Sequence, residues 1–250
     1  MKADYGVDDP RVPAVLALAG LGALVVAIVG VVLGIVGLWV SFGITALSCL
    51  GGAASYMYAT LRGKHRAWAT ILDSMGLRGS ETVLDVGCGR GAVLIAAAHR
   101  LPRGRAVGID IWTIDQSGNR AAATRRNAEL EGVAGRVSLA TADARHLPFP
   151  ADTFDVVVSS LVIHNISSAD GRRNALEEAV RVLKPGGRLL IADIFSVGSY
   201  PAELDSAGAA HASIRDLGPG TWFGNPFVRT RLVTGSKSGG QWADVEVERI

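Results

Sequence analysis

Residues 83–91 read VLDVGCGRG, a run of strand-forming residues that leads directly into closely spaced glycines. The pattern predicts a strand over residues 82–86, a tight turn, and a helix over residues 92–100. Glycine lets the backbone approach a ligand, and the helix behind the turn directs its first amide hydrogens into the same crevice. We therefore expect a nucleotide-type ligand at Gly87, Cys88, Gly89 and Gly91.

Asp85 lies inside the predicted strand, two residues before the first glycine. The glycines alone also fit a dinucleotide site. However, the carboxylate would repel a diphosphate, whereas it would attract the ammonium group of S-adenosylmethionine, directly or through water. Asp85 thus favours S-adenosylmethionine over NAD. The alternative is that its carboxylate only holds the glycine turn through backbone hydrogen bonds.

The chain from Ala67 onward alternates short β-branched runs with amphipathic stretches, which is typical of a parallel sheet flanked by helices. Further strands are predicted over residues 106–109, 137–140, 154–159 and 188–192. Helices are predicted over residues 119–131 and 172–183, and a turn over residues 184–187. A final pair of strands is expected over residues 211–216 and 228–234.

Acidic residues follow two of these strands. Asp110 ends the second strand, where a carboxylate can accept hydrogen bonds from both ribose hydroxyls of either cofactor. Ile111 and Trp112 come next, and they either flank an adenine ring or belong to the core. Asp143 and Ala144 follow the third strand, where the carboxylate can accept from an adenine amino group; a surface turn is the alternative.

Together these segments resemble class I S-adenosylmethionine-dependent methyltransferases, in particular the ubiquinone/menaquinone C-methyltransferase-like group. The resemblance covers about residues 82–193. It rests on the LDVGCG and RVLKPGG motifs, on Asp110, and on the segments ADA, LPF and FD that begin at residues 142, 147 and 154. It implies a Rossmann-like, doubly wound, mostly parallel α/β sheet.

The resemblance also implies the cofactor, S-adenosylmethionine, and the residues that hold it. In that family the glycine turn and the position of Asp85 bind the methionine part, and the position of Asp110 binds the ribose. The positions of Asp143 and Ala144 bind the adenine, and the position of Ser160 lies beside the cofactor.

The acceptor of the methyl group is expected above the end of the fourth strand, in the segment SSLVIHNI at residues 159–166. The quinone enzymes have an Arg-Asn pair where this chain has His164 and Asn165, so the acceptor stays open. His164 is a candidate base near neutral pH, or a structural residue. Asn165 would orient a substrate oxygen or the loop itself. Asp115 is the one carboxylate of the long polar loop after Trp112 and is the third catalytic candidate.

No Asp, Glu, Lys or Arg occurs from Val12 through Leu61. This length predicts two transmembrane helices, near residues 13–34 and 39–60, with a turn around residues 37–43. The basic residues that follow, beginning with Arg62, predict a cytoplasmic location for what comes after them. A signal peptide and a buried soluble hairpin are the alternatives, but both suit a shorter apolar segment.

We therefore expect a transmembrane helical hairpin over residues 1–61, a basic juxtamembrane helix or linker over residues 62–80, and a cofactor-binding domain over residues 81–250. The expected protein is a multi-pass cell-membrane methyltransferase with a cytoplasmic catalytic domain. Its substrate would be a small hydrophobic or lipid-soluble acceptor: a quinone, a polyprenyl or phenolic compound, or a lipid headgroup. The alternatives are a non-catalytic cofactor-binding scaffold and an NAD-dependent reductase.

The composition also indicates whether nucleic acid or a metal ion is to be expected as a partner. The net charge is +2, and no dense basic stripe occurs, so we expect no nucleic-acid partner. Cys49 and Cys88 have no spacing typical of a metal site, so no metal is expected. Small residues in the spans let helices pack closely within the lipid bilayer, either as a hairpin or in a homo-oligomer.

Overall fold

The computed structural model describes residues 2–112 and 118–239 and contains a seven-stranded sheet. The strands are β1 (Thr82–Val86), β2 (Arg105–Asp110), β3 (Val137–Thr141), β4 (Phe154–Ser160), β5 (Leu183–Asp193), β6 (Ala209–Asp216) and β7 (Arg231–Lys237). Their order is β3-β2-β1-β4-β5-β7-β6, in which β1 to β5 are parallel and β7 is antiparallel to both of its neighbours. The predicted mostly parallel sheet and the final strand pair are confirmed.

The described residues form seven α-helices, of which the last five pack on the two faces of this sheet. They are α1 (Arg11–Val32), α2 (Val36–Tyr58), α3 (Lys64–Ser74), α4 (Ala92–His99), α5 (Ala121–Leu130), α6 (Ala169–Val182) and α7 (Tyr200–Ser206). Side chains of β1 alternate between two cores: Val83 packs with α3 and α4, whereas Leu84 packs with α6 and α7. The neighbours of β1 are β2 and β4, so the crevice for a ligand opens at the carboxyl end of β1.

Two details differ from the prediction. The segment at residues 184–187 is part of β5, with an irregular register opposite Phe154 and Val156, rather than a separate turn. Helix α7 was not predicted, because it has only seven residues in a glycine-rich region. The fully buried Tyr200 and Leu204 hold it against the sheet.

Helices α1 and α2 form an antiparallel hairpin that packs through small residues, as predicted. A Cβ built on Gly20 would lie 2.7 Å from Leu50, and one built on Gly30 would lie 2.7 Å from the backbone nitrogen of Trp39. The predicted turn at residues 37–43 is wrong. The chain turns at Gly34, whose φ of 69° is a left-handed conformation, so that α1 ends at Val32 and α2 already begins at Val36.

The second helix does not end near residue 60 as predicted. It continues through a π-helical turn, residues 59–63, directly into α3. A Cβ on Gly63 would lie 1.7 Å from the carbonyl oxygen of Gly220, so this turn is in tight contact with the backbone between β6 and β7. Helix α3 then packs Trp68 and Leu72 into the core. The division at residues 61 and 80 stays a prediction.

Residues 2–10, which we call the N-terminal strap, lie against the soluble domain before α1 begins. The amide of Asp4 donates to Oδ1 of Asn127 at 3.0 Å, and Nδ2 of Asn127 donates to the carbonyl of Asp4 at 2.8 Å. Arg90, in the glycine turn, donates to the carboxylate of Asp4 at 2.7 Å. The strap therefore ties the start of the hairpin to the glycine turn.

Candidate active site

The chain can turn sharply directly after β1 because the glycines of this turn adopt backbone conformations that other residues tolerate poorly. Gly87 has a φ of 74°, and a Cβ there would lie 2.3 Å from the side chain of Val162 in the loop after β4. Gly91 has a φ of 89° and precedes α4. The amides of Gly87 and Cys88 donate to the carbonyl of Ile109 at 2.8 and 2.9 Å. The turn thus joins β1, β2 and the loop after β4.

Asp85 is 1% exposed, and neither of its carboxylate oxygens has a hydrogen-bond partner among the described residues. Burial raises its pKa to about 7, and the nearby carboxylate of Asp110 adds to the rise, while the Leu94 amide and Lys64 oppose it. A buried carboxylate without a partner is costly unless a cation or a donor completes it. The Leu94 amide of α4 lies close enough to affect the pKa, but its geometry falls short of a hydrogen bond, and no amide of the glycine turn donates to this carboxylate among the described residues. An ammonium group fits this carboxylate.

We expect the binding of S-adenosylmethionine to weaken as pH falls below about 7, by up to tenfold per pH unit, because protonation of Asp85 removes the charge that attracts the ammonium. Asp85→Asn should bind weakly at every pH. Calorimetric titration between pH 6 and 8 measures both effects. Asp170→Asn, at a carboxylate whose side chain is 83% exposed, is the control and should keep the wild-type profile.

The same pKa also predicts a change in stability of the ligand-free protein. Since the folded state keeps the Asp85 proton up to about pH 7 while the unfolded chain releases it near pH 4, stability should fall as pH rises through this window. Asp85→Asn lacks that proton release, so it should melt at a higher temperature than wild type at pH 8. An unchanged melting temperature would contradict the burial of an unpaired charge.

Asp110 ends β2 as predicted, but its oxygens are already engaged. Oδ2 accepts from the amide of Gly89 at 2.8 Å, and Oδ1 accepts from the amide of Trp112 at 2.6 Å and from Nδ2 of Asn119 at 3.2 Å. Each carboxylate oxygen has more than one lone pair. A ribose would therefore share this carboxylate with the glycine turn, or displace Asn119.

The remaining predicted cofactor residues differ in exposure. Ile111 is 55% exposed beyond β2, and Trp112 donates through Nε1 to Thr141 at 2.8 Å. Asp143 forms an ion pair with Arg145 through three side-chain hydrogen bonds, which lower the pKa of the carboxyl. Ala144 packs beside it on the second core.

Two predicted residues need separate comment. The side chain of Cys88 does not face a ligand: it is 6% exposed in the core, and a Cβ on Gly108 would lie 2.7 Å from its Sγ. Only the backbone of Cys88 is available to a cofactor. Asp115 lies outside the described residues, so its role stays a prediction.

His164 lies in a short helical turn after β4 and makes a hydrogen bond through Nδ1 to Oδ1 of Asp193. Its own amide donates to Oδ2 of Asp193 at 3.0 Å. Asp193 is fully buried at the end of β5, and it also accepts from the hydroxyl of Tyr200 at 3.2 Å. A carboxylate on Nδ1 fixes the ring and its tautomer, which leaves Nε2 as the nitrogen that can accept a proton.

The sequence prediction missed Asp193 and Tyr200. Asp193 had a usable signal, because a carboxylate at the carboxyl end of a parallel strand is the same feature that selected Asp110. Asn165 donates through Nδ2 to the carbonyl of Leu161 at 3.3 Å, which is the loop-orienting role among its two predicted roles. Ser160 accepts from Nε1 of the buried Trp68 at 2.9 Å, so α3 reaches the end of β4.

A model of the family described as "Methyltransferase domain" matches residues 84–191, which contain the glycine turn, Asp85 and His164. This domain belongs to the class I S-adenosylmethionine-dependent methyltransferases. The predicted family and cofactor are confirmed.

Among similar curated proteins is the ubiquinone/menaquinone biosynthesis C-methyltransferase UbiE of Dinoroseobacter shibae, which is 35% identical to this chain over 130 residues. That alignment covers 52% of this chain and 49% of the relative. The protein of the same name from Vibrio campbellii is 36% identical over 132 residues, with 52% and 48% covered. The chain thus spans about half the length of the curated relatives it matches.

Solved structures share the fold at low sequence identity. The [4+2]-cyclase SpnF aligns with a TM-score of 0.59 and 20% identity, over 70% of this chain and 81% of its own. A geranyl diphosphate methyltransferase in complex with SAM aligns with a TM-score of 0.56 and 16% identity, over 69% and 86%. These likenesses support the sheet and helix arrangement of the methyltransferase domain.

Proposed function

We propose that the protein is a membrane-anchored methyltransferase that transfers a methyl group to a small hydrophobic acceptor, such as a quinone, a polyprenyl or phenolic compound, or a lipid headgroup. The observation that supports the methyl donor is the buried carboxylate of Asp85 beside the glycine turn, whose oxygens accept no hydrogen bond from the part of the chain that the structure describes. Val162, two residues before His164, packs on Gly87 of that turn. The cofactor residues and the candidate base therefore belong to one sheet edge.

Bound S-adenosylmethionine supplies an electrophilic methyl group on a sulfonium sulfur. Asp85 and the glycine turn would hold its amino-acid part, Asp110 its ribose and Asp143 with Ala144 its adenine. His164 would accept the proton that the acceptor loses, through Nε2, while Asp193 holds the ring. Transfer of this kind needs alignment and exclusion of water more than chemical groups.

The hairpin supports the location at a membrane. Both helices are long and apolar enough to cross a bilayer, and only 22% and 11% of their most apolar windows are buried. A buried soluble hairpin would hide these side chains, yet Leu18 is 70% exposed and Leu47 is 76% exposed. If both helices cross the bilayer and the methyltransferase domain follows Arg62 on the cytoplasmic side, lipid would cover these apolar side chains. Pairing of the helices into a homo-oligomer stays a prediction.

The membrane location and the name of the UbiE relatives together favour a lipid-soluble acceptor. An enzyme held at the bilayer meets such an acceptor at a raised effective concentration. The departure at His164, where the quinone enzymes have arginine, leaves the exact acceptor to experiment.

The test uses the full chain in lipid vesicles with methyl-labelled S-adenosylmethionine and a prenylated hydroquinone, a prenylated phenol or an extract of membrane lipids. We expect label in the organic phase together with an equal amount of S-adenosylhomocysteine. A water-soluble analogue without the prenyl chain should react more slowly. Tight cofactor binding without S-adenosylhomocysteine formation in any of these mixtures would contradict the proposed enzymatic activity and favour a non-catalytic scaffold.

A further inference from the structure

The segment between β6 and β7, residues 217–230, carries an exposed aromatic residue on a rigid tip. Phe227 is 87% exposed. Its amide donates to Oδ1 of Asn225 at 2.8 Å, and the amide of Phe223 donates to the carbonyl of Val228 at 2.8 Å, so the turn is closed on itself. We call residues 224–227 the tip. Its shape projects a large apolar side chain outward.

The tip segment packs against the hairpin as well as against the end of the sheet. The rings of Tyr56 and Phe223 meet edge to face with centroids 5.0 Å apart. The hydroxyl of Ser55 donates to the carbonyl of Trp222 at 3.2 Å. A Cβ on Gly52 would lie 3.0 Å from the carbonyl oxygen of Gly224. The tip therefore lies alongside α2.

The position of this contact along the hairpin helices shows where the tip lies relative to the charged residues that border them. Gly52 precedes Arg62, the first charge after the apolar stretch, by ten residues, which is about 15 Å along a helix. A Cβ on Gly224 would lie 3.6 Å from Leu16, which follows Arg11 by five residues, or about 8 Å. The tip thus lies beside the uncharged part of both helices, beyond the charged residues that border it.

We infer that the tip enters the bilayer interface and that Phe227 contacts lipid there. The inference rests on the membrane location proposed above, and it adds the soluble domain itself to the lipid-contacting surface. Trp222 and Arg229, the latter 5.8 Å from the ring centroid of the former, flank the tip. Such aromatic and cationic side chains are typical of the headgroup level.

A small cavity lies behind the tip, between it and the end of β4. It is lined mainly by apolar side chains of α3, β4 and the tip segment, including Trp68, Leu161, Leu217 and Phe223, and by Ser160. Lipid contact at the tip places this cavity at the membrane surface.

The test places a nitroxide label at single cysteines, in a Cys49→Ser background that retains the buried Cys88. The labelled positions are Phe227→Cys, Leu24→Cys within the hairpin, and Ala134→Cys at the opposite edge of the sheet. The full chain is reconstituted in vesicles of phosphatidylethanolamine and phosphatidylglycerol. Collision of each label with oxygen, which partitions into lipid, is compared with collision with a water-soluble nickel chelate.

We expect labels at residues 227 and 24 to collide more with oxygen than with the nickel chelate, and the label at residue 134 to show the reverse. If residue 24 is in lipid but residue 227 behaves like residue 134, the inference is overturned while the membrane anchor stands. If residues 24 and 227 both face water, the membrane location fails as well. A label at residue 227 that neither reagent reaches would indicate a protein contact and also overturn the inference.

Discussion

Replacing His164 with alanine is expected to lower kcat for methyl transfer by about 10²- to 10⁴-fold, the usual contribution of a general base. The affinity for S-adenosylmethionine should change little, because the imidazole is bonded to Asp193 and not to the glycine turn. The measurement is S-adenosylhomocysteine formation with the reactive acceptor, with cofactor binding followed by calorimetry. Added imidazole should restore part of the lost rate.

The control for this variant is His99→Ala, at a histidine whose side chain is 45% exposed and pairs with Glu131 on the surface. It should keep the wild-type rate. Asp193→Asn tests the positioning residue: it should lower kcat and disturb the pH–rate profile without abolishing cofactor binding. A His164→Ala enzyme with wild-type kcat would show that the histidine is structural.

Gly63→Ala is expected to break the contact between the hairpin and the methyltransferase domain. The new Cβ would lie 1.7 Å from the carbonyl oxygen of Gly220, and 2.8 Å from its carbon, so one backbone must move away. Forcing extra atoms into a packed contact typically costs about 1–3 kcal/mol, and the cost is at the upper end or above it where backbone rather than a side chain blocks the new atom. We expect a lower melting temperature in detergent and faster proteolysis between residues 59 and 64.

Gly51→Ala is the matched control for this variant. Gly51 lies in the same continuous helix, and a Cβ there would meet nothing within 4 Å. Alanine also favours a helix over glycine by about 1 kcal/mol, so this variant should be as stable as wild type or slightly more stable. Equal proteolysis of the two variants would contradict the tight junction.

Local patterns in the sequence were sufficient to predict most of the sheet. The β-branched runs gave strands close to those observed, because a buried parallel strand needs an almost continuous apolar run. The hairpin turn was placed too late, since several glycines fit a turn equally well and only the packing of α1 on α2 selects Gly34. The continuation of α2 into α3 was missed because the charge at Arg62 and the glycine at residue 63 both fit the end of a membrane-spanning helix.

The candidate site was less accessible from the sequence, because its geometry depends on residues far apart in the chain. The bond between His164 and Asp193 joins the ends of two strands, and the contact of Trp68 with Ser160 spans 92 residues. The three hydrogen bonds to Asp110 likewise come from separate places in the chain: Gly89 in the glycine turn, Trp112 directly after β2, and Asn119 shortly before α5. Residue types identified the candidate groups; only the fold shows which oxygens and nitrogens remain available.

The N-terminal strap has a consequence for biosynthesis. Asp4 and its partner Asn127 are 123 residues apart, and Arg90 is 86 residues away. During translation, at about 5–20 residues per second, the ribosome therefore completes both hairpin helices several seconds before Asn127 exists. The hairpin can be delivered to a membrane while the first ten residues are still loose, and the strap can close only afterwards. Docking of the strap thus cannot precede the synthesis of α5.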